Sequence, residues 1–443
     1  MIAAALLLAA AAPLLDTTLD NGLRVTILPD PGMPVVATQV WYHVGSADED
    51  PGSRGLAHLF EHLMFGPTET REAREYSAFH TLHGGDENAF TDTDETVYVS
   101  EIPPPQHLGV LEREADRMRH LLLDQAALDN ERKIVTEELR LRTENDPLGR
   151  LFTAAQVALM AGHPYGHEVA GTHEDLDAAS LQAVRAFYQR WYGPANAQVV
   201  VVGPVDAEET LAAIRRAFGP IPRGEPVERR EIPAVTSHRF PARLTLREDI
   251  PPVEVAAAGF PLPPPDAPDA DAIEVLLEML TSRQVDPVRE ELVVRRKRGL
   301  EAGAQGMVFR RGGALVLYVA SLPYRRRETA FRDLDAARST LDGGAWLSQD
   351  ALQAAQRSLL RKAADRRYQA AQMADALGRE TWFRGDPGGA LDRERRVSNV
   401  TLSDVRAAWE RWVMRREPVR LYVEPKHVPW YVTAFGWLAP LFL

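Results

Sequence analysis

Residues His58, Glu61 and His62 stand in the stretch Arg54-Gly-Leu-Ala-His58-Leu-Phe-Glu61-His62-Leu-Met-Phe65. At about 100° per residue, these three side chains share an arc of about 100° on one helical face. Leu56, Leu59, Phe60 and Leu63 occupy the opposite face. A helix here buries its apolar side and presents two imidazoles and a carboxylate together. Histidines four residues apart both reach one zinc ion, and a glutamate between them reaches the water that the ion activates. A catalytic zinc needs a third protein ligand and an open position. The helical stretch from Asn130 to Arg142 offers Glu131, Glu137 and Glu138. Glu131 and Glu138 are two turns apart on one face, whereas Glu137 points elsewhere as a solvated charge. Spacing alone does not choose between Glu138 and Glu131. His163 and His167 are also four apart, but Pro164 and Gly166 argue against a helix between them, so no second metal site is expected there. His80 and His83 precede the Gly84-Gly85 turn and read as surface or core residues.

Composition bounds what can position such a site. The chain has 443 residues, 45% apolar and 26% charged, the mix of a soluble globular protein with room for two to four domains. Its 51 basic and 63 acidic residues give a net charge of −12, which argues against nucleic acid as a partner. With no cysteine, thiol chemistry, disulfides and sulfur-ligated metals are excluded, and any metal must be held by His, Asp or Glu. Residues 1–15, MIAAALLLAAAAPLL, form an apolar run shorter than the ~20 residues that span a bilayer. The run resembles the apolar part of a secretory signal without a basic start. It predicts export, to the periplasm or a membrane-associated site, with a cytoplasmic location as the alternative. The apolar tail 428–443, with Trp430, Tyr431 and Trp437, is also too short to span. It reads as a packed tail, and either end offers a route to membrane contact.

Alternation over Thr17 to Leu28 around Asp20-Asn21-Gly22 predicts a hairpin, and Pro34 to Val44 a second apolar strand. Helical periodicity covers Arg54 to Phe65, Gln106 to Leu123 and Asn130 to Arg142, with strands at Thr96 to Val99 and Gln198 to Val202. The proline-rich stretch Pro220 to Ser237 reads as a linker. Beyond it the pattern starts again. Pro252-Val253 opens a strand ending at Phe260, and Ala270 to Leu280 is an amphipathic helix. The expected fold class is α+β, two homologous halves, each a mixed or antiparallel sheet packed with helices. The halves span 16–222 and 241–427, joined by a linker at 223–240.

The sequence resembles the insulinase/pitrilysin family of zinc peptidases (inverzincins), in a half-length form similar to mitochondrial processing peptidase subunits. The likeness runs from about Thr18 to about His427. Besides His58-x-x-Glu61-His62, it includes Gly84-Gly85-x-x-Asn88-Ala89-x-Thr91 and Glu114-Ala115-Asp116-Arg117-Met118. It continues through Glu131-Arg132, Val135, Glu137-Glu138, His163-Pro164-Tyr165 and Pro194-x-Asn196-Ala197. The resemblance implies a clamp-like metalloprotease with one Zn2+ per chain. It assigns the metal to His58, His62 and Glu138, the catalytic base to Glu61 and a supporting role to Glu131. It also makes Asn88, Ala89, Phe90 and Thr91 an edge strand that substrate joins as an added strand.

The second half departs from the first. Under an offset of about 218 from Pro34 to Pro252, Leu276, Met279 and Leu280 stand where His58, Glu61 and His62 do, so no zinc is expected there. The family's substrate-contacting Arg is matched by Arg295, but the Tyr seven residues on is Ala302. The expected activity is that of a zinc endopeptidase acting on peptides or unfolded protein segments in extended form. The chain is expected to be the catalytic subunit beside a second, similar chain that supplies the Arg/Tyr pair, with a homodimer as the fallback. The rival readings are a non-catalytic chaperone-like or assembly subunit on the same fold, and a zinc hydrolase of non-peptide substrates.

Overall fold

The computed structural model describes residues 13–428 except 146, 225, 249–251, 283–285, 323–326 and 343, and for 142–145 and 147–151 the backbone alone. The expected export run and apolar tail therefore lie mostly outside the described residues. The end of the first run does not. Leu15 opens a strand and pairs with Ile27, so the last residue of the segment read as a signal belongs to the first sheet. Among the described residues, no helix is long and apolar enough to cross a membrane.

The first half contributes β1 (Leu15–Thr18), β2 (Arg24–Pro29), β3 (Val36–Tyr42), β4 (Asp86–Thr91), β5 (Thr96–Ile102) and β6 (Ala197–Gly203). Its helices are α1 (Leu56–Leu63), α2 (Ala73–His83), α3 (His107–His120), α4 (Gln125–Asn145), α5 (Pro147–Leu159), α6 (His173–Ala178), α7 (Leu181–Trp191) and α8 (Ala207–Phe218). The second half contributes β7 (Arg243–Glu248), β8 (Glu254–Leu262), β9 (Glu301–Phe309), β10 (Gly312–Ser321) and β11 (Val419–Pro425). Its helices are α9 (Ala270–Thr281), α10 (Pro287–Arg289), α11 (Arg327–Leu341), α12 (Gln349–Arg366), α13 (Ala370–Arg384), α14 (Gly388–Asn399) and α15 (Leu402–Trp409).

The strands form two sheets, ordered β1-β2-β6-β3-β5-β4 and β7-β11-β8-β10-β9. Setting β1 aside, both run parallel, antiparallel, antiparallel, antiparallel from one edge to the other. The duplication suggested by the sequence is thus a repeat of topology, and the mixed two-sheet α+β class holds. β4 and β9 are the matching edge strands.

Each sheet is covered on both faces, which is why β3 and β6 are buried throughout rather than alternating. Val36, Val40, Val199 and Val201 face a core shared with α1 and α7. Ala37, Trp41, Val200 and Val202 face the other way, onto Met373, Ala374 and Leu377 of α13. The cover on that side thus comes from the second half. The exchange is reciprocal, since Ala158 and Leu159 of α5 pack on Val255, Ala257, Val316 and Leu421 of the second sheet. Two amide side chains in the seam donate to the helix that covers them: Gln39 to Ala371 O at 3.0 Å and Gln198 to Gly378 O at 3.0 Å. Gly378 lets Trp41 approach, because a Cβ there would sit 2.3 Å from the indole. Gly378→Ala is expected to destabilise the fold by about 1–3 kcal/mol, the usual cost of overpacking, read as a lower urea midpoint at unchanged slope.

Parts of the expected linker pack against the rest of the chain. Ile232 and Val235 are buried, and Arg229 donates to Asp48 Oδ1 at 3.1 Å and to Asn196. Asp94, in the β4–β5 turn, accepts from Tyr165 Oη at 2.9 Å and from Arg310 N at 2.8 Å, tying the halves together. Burial pushes its carboxyl up to about 6, partly offset by those donors.

Candidate metal centre

Helix α1 is set by what surrounds its first turn. Gly55 precedes it at φ +80°, and a Cβ there would meet Ala170 O at 2.6 Å. Glu49 then accepts from the backbone N of Gly55 at 2.9 Å and of Ala57 at 2.7 Å, satisfying donors that a helix start leaves open. The Glu49 carboxylate is fully buried, with His167 Nε2 3.4 Å away. Leu56, Leu59, Phe60 and Leu63 enter the core, which turns His58, Glu61 and His62 toward α4 and β4.

There the chain brings two helices together over one point. His58 Nε2 lies 3.8 Å from Glu138 Oε1, and His62 Nε2 lies 3.2 Å from Glu138 Oε2. One ligand atom from each of the three residues falls within 4.8 Å of the others. Two atoms each about 2.1 Å from a common tetrahedral zinc stand roughly 3.4 Å apart, so the set fits that ion in spacing and in donor chemistry. Among the described residues, no other group of three such side chains meets this spacing. Burial lowers the His62 imidazole, but Glu138, Glu61 and Glu131 together outweigh it and raise its pKa.

The other residues singled out by the sequence fall in different places. Glu61 accepts from Thr91 Oγ1 at 2.6 Å. Glu131 Oε2 stands 3.8 Å from His62 Nδ1, while its other oxygen accepts from Asn130 at 3.0 Å. Glu137 points into solvent, 61% exposed, and pairs with Arg140 at 3.0 Å. Asn88, Ala89, Phe90 and Thr91 lie on edge strand β4 opposite Val99, Tyr98, Val97 and Thr96. Arg295 is not brought to this centre: it is 66% exposed at the end of a π-helical turn and pairs with Glu290 at 3.2 Å. Ala302 is buried in β9.

Sequence reasoning missed Glu49 and His167 as the support of α1. Glu49 sits in the run Asp48-Glu49-Asp50 and looks like a solvated charge; its only signal is its place just ahead of the helix. Leu276, Met279 and Leu280, aligned with the metal-binding positions by the strand offset, prove to be fully buried core residues.

Comparison with known proteins agrees with this architecture. The insulinase (peptidase family M16) model matches residues 24–173, and the peptidase M16 inactive domain model matches residues 178–359. An uncharacterized zinc protease of Mycobacterium leprae is 36% identical over 209 residues, 46% of this chain and 45% of that protein. This chain therefore spans about half the length of that relative. The zinc protease PqqE of Helicobacter pylori is 27% identical over 334 residues, 74% of each chain. Among solved structures, a protease from Helicobacter pylori superposes with a TM-score of 0.81 at 24% identity, covering 94% of this chain and 100% of that one. The first half of the periplasmic protease PqqL from Escherichia coli gives 0.73 at 22%, covering 96% and 95%. At these identities the structural likeness is one of fold. With two family models matching in order across most of its length, the chain belongs to the insulinase family, peptidase family M16.

Proposed function

We propose that the chain is a zinc-dependent endopeptidase of the H-x-x-E-H type, with one Zn2+ per chain, cleaving peptides or unfolded segments held in extended form. One observation carries the reading: His58, His62 and Glu138 converge from α1 and α4 with Glu61 beside them. These three residues would hold the ion, which when bound polarises the scissile carbonyl and brings the pKa of water toward about 7. The Glu61 carboxylate takes the proton from the attacking water and returns it to the leaving amine. Thr91 fixes one oxygen of that carboxylate through its hydroxyl. Glu131 stands behind His62 and orients the imidazole. β4 ends its sheet, so its outer edge offers main-chain donors and acceptors to an extended substrate beside α1.

The zinc-protease names of relatives support this reading, and the M16 inactive domain match supports confining the chemistry to the first half. The periplasmic location printed for the Escherichia coli relative supports export. The test is cleavage of a mixed-sequence peptide library by the purified, zinc-loaded chain, alone and with a similar co-purifying chain. Absence of cleavage in both settings would leave the non-catalytic assembly role.

The partner is part of the proposal. Ala302 stands where the family carries a Tyr, and an alanine has no donor for the charge that develops on the carbonyl oxygen. Losing one such donor typically costs ~10²–10³ in rate. The chain alone is therefore expected to be weak, with a gain of that size when a second, similar chain supplies the Arg/Tyr pair. Tyr→Phe in the partner should reverse the gain. A rate that rises more steeply than the chain's own concentration would point to the homodimer. Strong turnover by a monomer, indifferent to any added subunit, would sink the two-chain reading.

A further inference from the structure

In the second half, the helix facing the edge strand repeats the spacing of the metal helix with different chemistry. Glu274, Leu277 and Glu278 on α9 are spaced as His58, Glu61 and His62 are on α1. α12 packs against α9 as α4 does against α1. Glu278 Oε2 accepts from Lys362 Nζ of α12 at 2.7 Å, and Glu274 Oε1 from Arg393 Nε of α14 at 2.8 Å. Cations of the chain itself therefore neutralise both carboxylates, and the position calls for no metal.

What the arrangement leaves is a cavity of about 500 Å3 between α9, β9 and α12, walled by Leu262, Leu277, Met307, Val308 and Leu359. Four cations line it, Lys362, Arg366, Arg384 and Arg393, against the two carboxylates Glu274 and Glu278. Arg384 has Asp271 at 3.4 Å and Glu380 at 3.5 Å. Arg366 is half-buried, and its guanidinium makes no ion pair or hydrogen bond among the described residues. Burial, with Arg393 nearby, pulls its pKa below the ordinary value. Arg393 Nη1 is buried without a hydrogen-bond partner. The unused donors of Arg366, with Arg393 nearby, in a cavity that also carries apolar walls match a carboxylate on an apolar body. The Gln305–Val308 segment of β9 lines the same cavity, and β9 ends its sheet. Main-chain donors and acceptors thus lie beside the cations, which favours a peptide over a simple organic acid.

We propose that this cavity binds the free C-terminal carboxylate of a peptide, held by Arg366. The proposal rests on the reading that the chain handles peptides, but it does not require that it cut them. The test uses the full chain carrying Glu61→Gln and a fluorescein-labelled peptide ending in leucine, with a free or an amidated C-terminus, read by anisotropy. The free acid is expected to bind about 10–100-fold more tightly, the worth of a charge-assisted hydrogen bond. Arg366→Gln should erase that difference, and Arg366→Lys should restore part of it. Equal affinity for acid and amide would overturn the proposal, as would a preference that survives Arg366→Gln. Displacement of the peptide by octanoate at the peptide's own affinity would overturn the choice of ligand. Absence of cleavage by the wild-type chain, with these binding results intact, would instead count against the peptidase reading alone.

Discussion

His58→Ala, His62→Ala and Glu138→Ala are each expected to leave the purified chain with little zinc, while Glu137→Ala leaves it loaded. Zinc sites with four protein ligands bind with roughly 10–16 kcal/mol, or ~2.5–4 kcal/mol per ligand, so losing one costs ~10²–10³ in affinity. The geometry makes the pair of adjacent glutamates a sharp control. Glu138 lies between the two imidazoles, whereas Glu137, one residue earlier, is solvent-facing and held by Arg140. Glu131→Ala should fall between, at about 10–100-fold, because Glu131 meets His62 at the nitrogen turned away from Glu138. Zinc content after dialysis against a chelator gives the ranking without any reference to turnover. Metal-dependent thermal stabilisation gives it a second time, since a ligand of the folded state raises stability with its affinity. Loss of zinc in Glu137→Ala with retention in Glu138→Ala would mean that the reading of α4 is wrong by one residue.

Those two helices were legible because local pattern and final burial agree. The apolar side of α1 is the side that enters the core, and the hairpin β1–β2 is closed around the Asn21-Gly22 turn that marks it in sequence. β4 was readable only through the family likeness. Its sequence, DENAFT, is largely polar because the strand lies half-exposed at an edge. The exchanged helices α5 and α13 were not legible at all. Their apolar residues pack on a sheet from the other half, and no period within a segment records which surface covers it. The second half misled for a related reason. The strand offset does not carry into α9, because its connection from β8 is shorter than that from β3 to α1, so the positions facing the edge strand are Glu274, Leu277 and Glu278 rather than Leu276, Met279 and Leu280. Charge was the other blind spot. Glu49 is acidic and fully buried, and only the structure reveals the helix start that it satisfies.

Glu61→Gln separates holding the metal from using it. Glu61 is not in the ligand triad, so the variant should bind zinc as the parent does. Glutamine has nearly the same shape and keeps a carbonyl oxygen to accept from Thr91 Oγ1, so the side chain stays in place between α1 and β4. What it lacks is a site for the water's proton. The cleavage rate should therefore fall by ~10²–10⁴ with little change in KM, the usual worth of a positioned general base. Thr91→Val supplies the graded control. It keeps the volume on β4 and removes only the donor, leaving Glu61 able to take a proton but less well aimed. A loss of about tenfold is expected there, with zinc retained. If Glu61→Gln cuts peptides at the parent rate with its zinc in place, Glu61 is not the base and the proton must travel through another group. If it loses zinc as well, Glu61 belongs with the ligands, and the division between the triad and the base collapses.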